Sequence, residues 1–243
     1  MMRDVRFTDV IEKLRVASSN DEARGLLNHV VSEYGLKNAV YYADRMPELT
    51  QREPYLALTY QEDWVRHYKE QDFFSIDPVL RAGAQSLLPV DWDILDRSAP
   101  KVRQMFDEAR DFAIGHKGLT FPIRGVNGET ALLSITSDFT DREWAKTKSI
   151  YMRDFQVIAN FIHEMIVRTQ KTKKIIPKLS PREHECLKWA SEGKTYEDIA
   201  LLIGIRPGTV KTYMEMSRRK LNALNTTHMV ARALSLKLID PPG

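Results

Sequence analysis

The chain has 243 residues, enough for two domains of ordinary size, and 43% of them are hydrophobic, enough for a core in each. Its 36 Lys and Arg stand against 33 Asp and Glu, a net charge of +3, and it carries one cysteine, Cys186. A single cysteine excludes an internal disulfide and fits a reducing cytoplasm, while the absence of a long apolar run or a secretory leader argues against a membrane span or export.

Two helices are expected within residues 8–34, the second opened by Asn20-Asp21-Glu22. Residues 38–42 read as a strand rich in Val and Tyr, and 54–60 as another. The next segment, Tyr60-Gln-Glu-Asp-Trp64-Val-Arg-His-Tyr68, spaces three aromatics at four-residue steps, so they share one helix face. Asp77-Pro78 and Trp92 follow. Taken singly, such an aromatic stripe is core and an Asp before Pro is a cap or turn. Together they can line a pocket that offers hydrogen bonds from otherwise apolar walls.

Residues 118–123 and 130–136 form a predicted hairpin, with Asn127-Gly128 as its turn signal. A long helix runs from Asp141 to Val167, with Tyr151, Phe155, Ile158, Ile162 and Met165 in one stripe. That stripe packs on its own domain by default, and part of it is also a candidate for pairing with a second copy. These elements imply an α+β chain whose N-terminal α/β/α sandwich, residues 1–168, encloses a central antiparallel sheet. A polar, basic linker at 169–178 ends near Pro177.

The C-terminal domain, 179–243, reads as four helices. Ser180, Pro181 and Glu183 form an N-cap, a first-turn proline and a capping-box acid, and Gly193 closes that helix. Thr195 caps a second helix whose inward residues are Ile199, Ala200, Leu202 and Ile203, and Gly204 stops it. A third begins near Pro207, turns Val210, Met214 and Leu221 inward, and shows Lys211, Thr212, Glu215, Arg218, Arg219 and Lys220 outward. A fourth covers about 226–238. A basic second helix after a tight Gly-containing turn is the helix-turn-helix pattern of DNA-binding proteins. The charge distribution agrees: residues 174–243 hold 12 Lys or Arg against 7 Asp or Glu, while the remainder holds 24 against 26. Candidate DNA contacts are Thr195, Thr209, Lys211, Thr212, Glu215, Arg218, Arg219 and Lys220. Cys186, within the first of these helices, reads as a packed residue rather than a nucleophile.

Residues 179–221 resemble the DNA-binding module of LuxR-type regulators, with its Leu-Ser-x-Arg-Glu start, Gly-Lys-Thr step, Ile-Ala turn and Thr-Val-Lys recognition helix ending in Lys-Leu. The chain departs from that pattern at Arg206, where a Ser cap is usual, at Tyr213, where a His is common, and at Ser217, where an inward Ile is common. The Tyr-x3-Trp-x3-Tyr-x8-Asp-Pro spacing, followed by Trp92, resembles the acyl-homoserine-lactone-binding domain of quorum-sensing members of the same family. That resemblance implies that Trp64 donates to the lactone carbonyl, Asp77 accepts from the ligand amide, Tyr60 and Ser134 donate to the acyl carbonyl, and Trp92 and Tyr68 pack the ring and the start of the acyl group. Leu56, Leu58, Val79, Leu80, Phe112, Ile114, Phe121 and Leu132 are candidates for the tail or the core.

The expected function is thus a cytoplasmic, homodimeric transcription factor. It takes an N-acyl- or aryl-homoserine lactone and binds an inverted-repeat site on double-stranded DNA, with no catalytic residue, metal or cofactor. The alternatives are a non-lactone ligand or ligand-independent action. A phosphorylated receiver domain lacks its βα rhythm here, and an enzyme lacks metal spacing, a nucleophile elbow or a phosphate loop.

Overall fold

The computed structural model describes residues 2–19, 22–46, 54–126, 128–170 and 177–241. The expected helix opener Asn20-Asp21, the turn residue Asn127 and linker residues 171–176 lie outside them. The chain separates into two compact units, residues 1–172 and 173–243.

In the first unit, α1 (Met2–Val16) and α2 (Glu22–Tyr34) precede β1 (Asn38–Arg45) and β2 (Tyr55–Leu58). Next come α3 (Glu62–Glu70), a 3-10 turn at Phe73–Ser75, α4 (Pro78–Gln85), β3 (Val90–Asp91), a second 3-10 turn at Trp92–Ile94 and α5 (Pro100–Asp111). Strands β4 (Lys117–Arg124) and β5 (Thr130–Ser137) lead into α6 (Asp141–Gln170). The sheet runs β2-β1-β5-β4-β3, antiparallel throughout. This is the expected α+β layout, with two differences. Helix α1 starts at Met2 rather than near residue 8. Strand β3 was not foreseen, because two residues carry no period.

The two sheet faces do different work, and alternation along each strand decides which residue serves which. Ala39, Tyr41 and Ala43 of β1, Leu119, Phe121 and Ile123 of β4, and Ala131, Leu133 and Ile135 of β5 are buried in one core with α1, α2 and α6. The α6 stripe Tyr151, Phe155, Ile158, Ile162 and Met165 belongs to that core and is at most 4% exposed, so it packs on its own unit. Phe155 stacks on Phe121 at 5.7 Å and meets Tyr34 edge-on at 4.8 Å. The intervening residues of the same strands face the other way. At the β4–β5 turn, Gly128 has φ +84°, the left-handed value the turn signal demanded. Helix α6 continues to Gln170, past the predicted domain end at 168.

The second unit is all helical: α7 (Pro181–Ser191), α8 (Tyr196–Ile203), α9 (Pro207–Lys220) and α10 (Thr226–Ser235). Its starts are set by side chains. The Ser180 backbone N–H donates to Glu183 Oε2 at 2.6 Å, and Ser180 Oγ accepts from the Glu183 N–H at 3.3 Å. Thr195 and Asp198 form the same reciprocal box at α8. Gly204 ends α8 at φ +70°. Arg206 makes no side-chain cap for α9, as its departure from Ser implied. Cys186, Leu187, Ile199, Val210, Met214 and Leu221 fill the core. Leu202, expected inward, is 52% exposed: α8 turns Ile199, Ala200 and Ile203 to the core, and position 202 falls outside that stripe. Ser217 is buried and donates to the Tyr213 carbonyl at 2.9 Å, which satisfies its hydroxyl where an apolar residue is common.

Replacing Phe155 by Ala should lower the stability of the first unit by about 3–5 kcal/mol. Urea unfolding followed by tryptophan fluorescence, three of whose four sources (Trp64, Trp92 and Trp144) lie in this unit, measures it, and a loss below about 1 kcal/mol would contradict the packing described.

Candidate ligand cavity and DNA-binding helix

The sheet face turned away from α1, α2 and α6 roofs a partly open cavity of about 450 Å³, flanked by residues of α3, α4, α5 and the segments joining them. All six sequence-predicted ligand residues, Tyr60, Trp64, Tyr68, Asp77, Trp92 and Ser134, line it. Local structure explains why they converge. Trp64 and Tyr68 lie one turn apart on α3, with rings 5.7 Å apart, and Tyr60 leads into that helix. Asp77 is the N-cap of α4: its Oδ1 accepts from the Val79 N–H at 2.7 Å. Its Oδ2 accepts from the Tyr68 hydroxyl, also at 2.7 Å. The backbone cap and the neighbouring phenol thus aim one carboxylate into the cavity.

Burial pushes the Asp77 carboxyl above its ordinary value, against the pull of the Tyr68 and backbone hydrogen bonds. Tyr60 and Tyr68 are pushed up in turn, first by burial and then by the charge of Asp77, so both stay protonated donors at any physiological pH. Trp64 is only 4% exposed, and its indole N–H has no hydrogen-bond partner among the described residues. The rest of the wall is largely aliphatic and aromatic, with Val40, Leu58, Leu132, Met105 and Phe106 prominent.

Sequence reasoning missed two supports. Thr120 accepts the Trp92 indole N–H at 2.9 Å and shares a hydrogen bond with the Ser134 hydroxyl at 2.8 Å. Trp92 therefore has its N–H occupied and offers the cavity only its ring. Gly118 is the second: a Cβ there would lie 2.3 Å from the Trp92 indole, so only glycine lets that ring lie on β4. A glycine inside a predicted strand was the available signal. Arg97 locks the arrangement by donating to the Trp92 carbonyl at 2.9 Å while lying 3.9 Å over the Phe106 ring.

Of the apolar candidates, Leu56, Leu58, Val79, Leu80, Ile114 and Leu132 line the cavity. Phe121 does not: strand alternation sends it to the opposite face, fully buried against Phe155. Phe112 is also displaced from the wall: it stacks on His67 at 5.1 Å and meets Trp64 at a tilt, 5.4 Å away. His67 in turn meets Glu108 at 2.7 Å, which ties α3 to α5.

In the second unit, Thr209, Lys211, Thr212, Glu215, Arg218 and Arg219 are exposed on α9. Thr195 is exposed at the start of α8, with its hydroxyl engaged by Asp198. Lys220 is placed differently from the free basic residue expected. Its Nζ lies 2.6 Å from Glu183 Oε2 and 3.2 Å from the Lys178 carbonyl. Glu183 is fully buried, and Lys220 is the cation that compensates it. Cys186 is fully buried and its thiol is pushed up by burial, as a packed residue should be.

Comparison with known proteins agrees with both halves. Residues 19–166 match the model of the autoinducer binding domain, and 177–233 that of the bacterial regulatory proteins of the LuxR family. The transcriptional activator protein RaiR of Rhizobium etli is 34% identical over 74% of this chain and 76% of its own. VanR of Vibrio anguillarum, another transcriptional activator, is 28% identical over 96% of this chain and 97% of its own. Among solved structures, SdiA of Escherichia coli shares the fold at a TM-score of 0.73 and 22% identity, covering 96% of this chain and 98% of SdiA, and it has also been solved with octanoyl-rac-glycerol. The chain belongs to the LuxR family, as a quorum-sensing transcription factor with an autoinducer-binding and a DNA-binding domain. It is a regulator, not an enzyme. No described helix is long and apolar enough to cross a membrane.

The raised Asp77 pKa has a pH consequence. Above the ordinary carboxylate range the folded chain holds this proton more tightly than the unfolded chain does, so the site's contribution to stability falls as pH rises through that window. Asp77→Asn keeps an oxygen for the Val79 N–H but carries no charge. Thermal unfolding of the ligand-free variant should lose that part of the pH dependence, and an unchanged profile would count against a buried charged Asp77.

Proposed function

We propose that the autoinducer is an N-acyl- or aryl-homoserine lactone, that its head is read by Trp64, Asp77, Tyr60 and Ser134, and that the chain acts as a homodimer on an inverted-repeat DNA site. One observation carries the reading: a donor-only indole and a carboxyl group whose two oxygens both accept hydrogen bonds line the same apolar cavity. A lactone joined through a secondary amide supplies the complement, a carbonyl for the indole N–H and an N–H for the carboxylate. Asp77 already accepts from Val79 and Tyr68, and its oxygens retain lone pairs for a third donor. Thr120 can donate to Ser134, which leaves the Ser134 hydrogen free for an acyl carbonyl, beside Tyr60. Trp92, its N–H satisfied, supplies a flat wall for the ring.

Such a ligand completes the first unit's interior, so it stabilises the fold by mass action, by about 2.7 kcal/mol at a hundredfold excess over Kd. A dimer then presents two copies of α9 to half-sites one helical turn apart. Lys211, Thr212, Glu215 and Arg218 are the base-edge readers, with Thr195, Thr209 and Arg219 toward the phosphates. Lys220 contributes mainly through Glu183. A second reading, a non-lactone acyl compound, draws on the SdiA complex with octanoyl-rac-glycerol.

Mass spectrometry of small molecules co-purifying from the native host tests the two readings, and recovery of a homoserine lactone decides for the first. Asp77→Ala should abolish ligand-dependent stabilisation and reporter activation; retained wild-type ligand affinity would remove Asp77 as the amide acceptor. Two basic residues on α9 should behave oppositely. Arg218→Ala should weaken operator binding and reduce its salt slope by about one with no change in melting temperature. Lys220→Ala should destabilise the second unit by about 1–3 kcal/mol, because Glu183 loses its partner. Equal melting temperatures for the two variants would refute that division.

A further inference from the structure

His67 is not part of the cavity wall, yet its ring lies 6.1 Å from the Trp64 indole and α5 grips it at two points. Its Nε2 is 2.7 Å from Glu108 Oε2, and its ring stacks on Phe112 at 5.1 Å and 25°. Glu108 and Phe112 stand one turn apart at the end of α5, so both grips come from one helix face. Among the described residues, the His67–Glu108 contact is the only hydrogen bond or ion pair that joins α3 to α5. Gln104 fixes the other carboxylate oxygen by donating to Glu108 Oε1 at 2.8 Å. The bond to His67 holds the Glu108 carboxyl below its ordinary value, so the ionised carboxylate accepts and the imidazole Nε2–H donates.

Three rings flank the Trp64 indole: Phe112 at 5.4 Å, His67 at 6.1 Å and Phe73 at 6.2 Å. The two phenylalanines pack without a directional bond, whereas His67 is tied to a second helix. On the lactone reading above, in which the Trp64 N–H donates to the ring carbonyl, we propose that His67 and Glu108 are positioning residues. They hold the indole at the angle that carbonyl requires, and so set the preference for a ring that bears one. A hydrogen bond weakens steeply once its N–H turns away, so a small swing of the indole costs affinity without opening the fold. The His67 and Glu108 side chains are 27% and 28% exposed, where a single ion pair adds little to overall stability. The effect of the pair therefore falls on ligand reading rather than on folding.

The probes are N-acyl-homoserine lactones and the matching N-acyl-cyclopentylamides, which keep the amide and the acyl group but carry no ring carbonyl. Octanoyl, tetradecanoyl and cinnamoyl pairs are titrated calorimetrically into the full chain, and the acyl group whose lactone binds tightest is carried forward. Glu108→Ala should weaken the lactone about tenfold and leave the cyclopentylamide within about twofold. His67→Phe, which keeps a ring on Phe112 but cannot bond Glu108, should do the same. Glu108→Gln, which retains an acceptor, should restore lactone binding to within about threefold of the wild type. Trp64→Phe has already lost the contact, so adding Glu108→Ala to it should cost the lactone no more than about twofold further. Equal losses for both probes, no loss for either, or full additivity with Trp64→Phe would overturn the positioning role and leave the lactone reading standing. If the wild-type chain binds none of the lactones, or binds the cyclopentylamide as tightly as the lactone, the reading of Trp64 as the carbonyl donor itself falls, and this inference with it.

Discussion

Each strand of this sheet has two faces, and a residue's place in the alternation decides whether it packs in the core or lines the cavity. Odd-numbered residues of β1, β4 and β5 make a dry core with α1, α2 and α6. Many of the even-numbered ones on β1, β2 and β5 line a cavity. Because the period is two, a slip of one residue would exchange core and cavity together. The packing of Phe121 on Phe155 therefore also sets the register that turns Ser134 to the cavity.

The cavity combines apolar walls with a few polar atoms that are expensive to bury. Asp77 illustrates the balance. Its backbone cap and the Tyr68 hydroxyl offset part of the cost of desolvating a carboxylate, yet its pKa stays raised. Such a group favours a ligand that brings a donor and penalises one that does not. The same logic separates the two tryptophans. Trp92 is satisfied by Thr120 and acts as a surface, whereas the Trp64 N–H finds no partner among the described residues and can act as a donor.

In the second unit, polar groups are spent on building helices before any meet DNA. Glu183 caps α7 through Ser180 and holds α9 through Lys220. One buried carboxylate thereby fixes the start of one helix and the end of another, and with them the orientation of the recognition helix within its domain. Of the other polar side chains of α9, Thr209, Lys211, Thr212, Glu215, Arg218 and Arg219 stay at the surface.

Much of this was legible in the amino-acid order. Caps at Ser180 and Thr195, stops at Gly193 and Gly204, the α6 stripe and the β4–β5 hairpin are local features, readable because propensity and period act over a few residues. The six cavity residues were legible through a spaced pattern resembling a known family. What required the folded chain were facts about which strands and helices meet. Thr120 supports Trp92 and Ser134 only because β3, β4 and β5 are neighbours. Gly118 matters only because an indole from a distant turn lies on it. Phe121 is core and Lys220 is a structural cation for the same reason. Local sequence determined the elements and the chemical types available to them; tertiary packing decided which face each side chain took and which partner it found, since those depend on contacts between residues far apart in the chain.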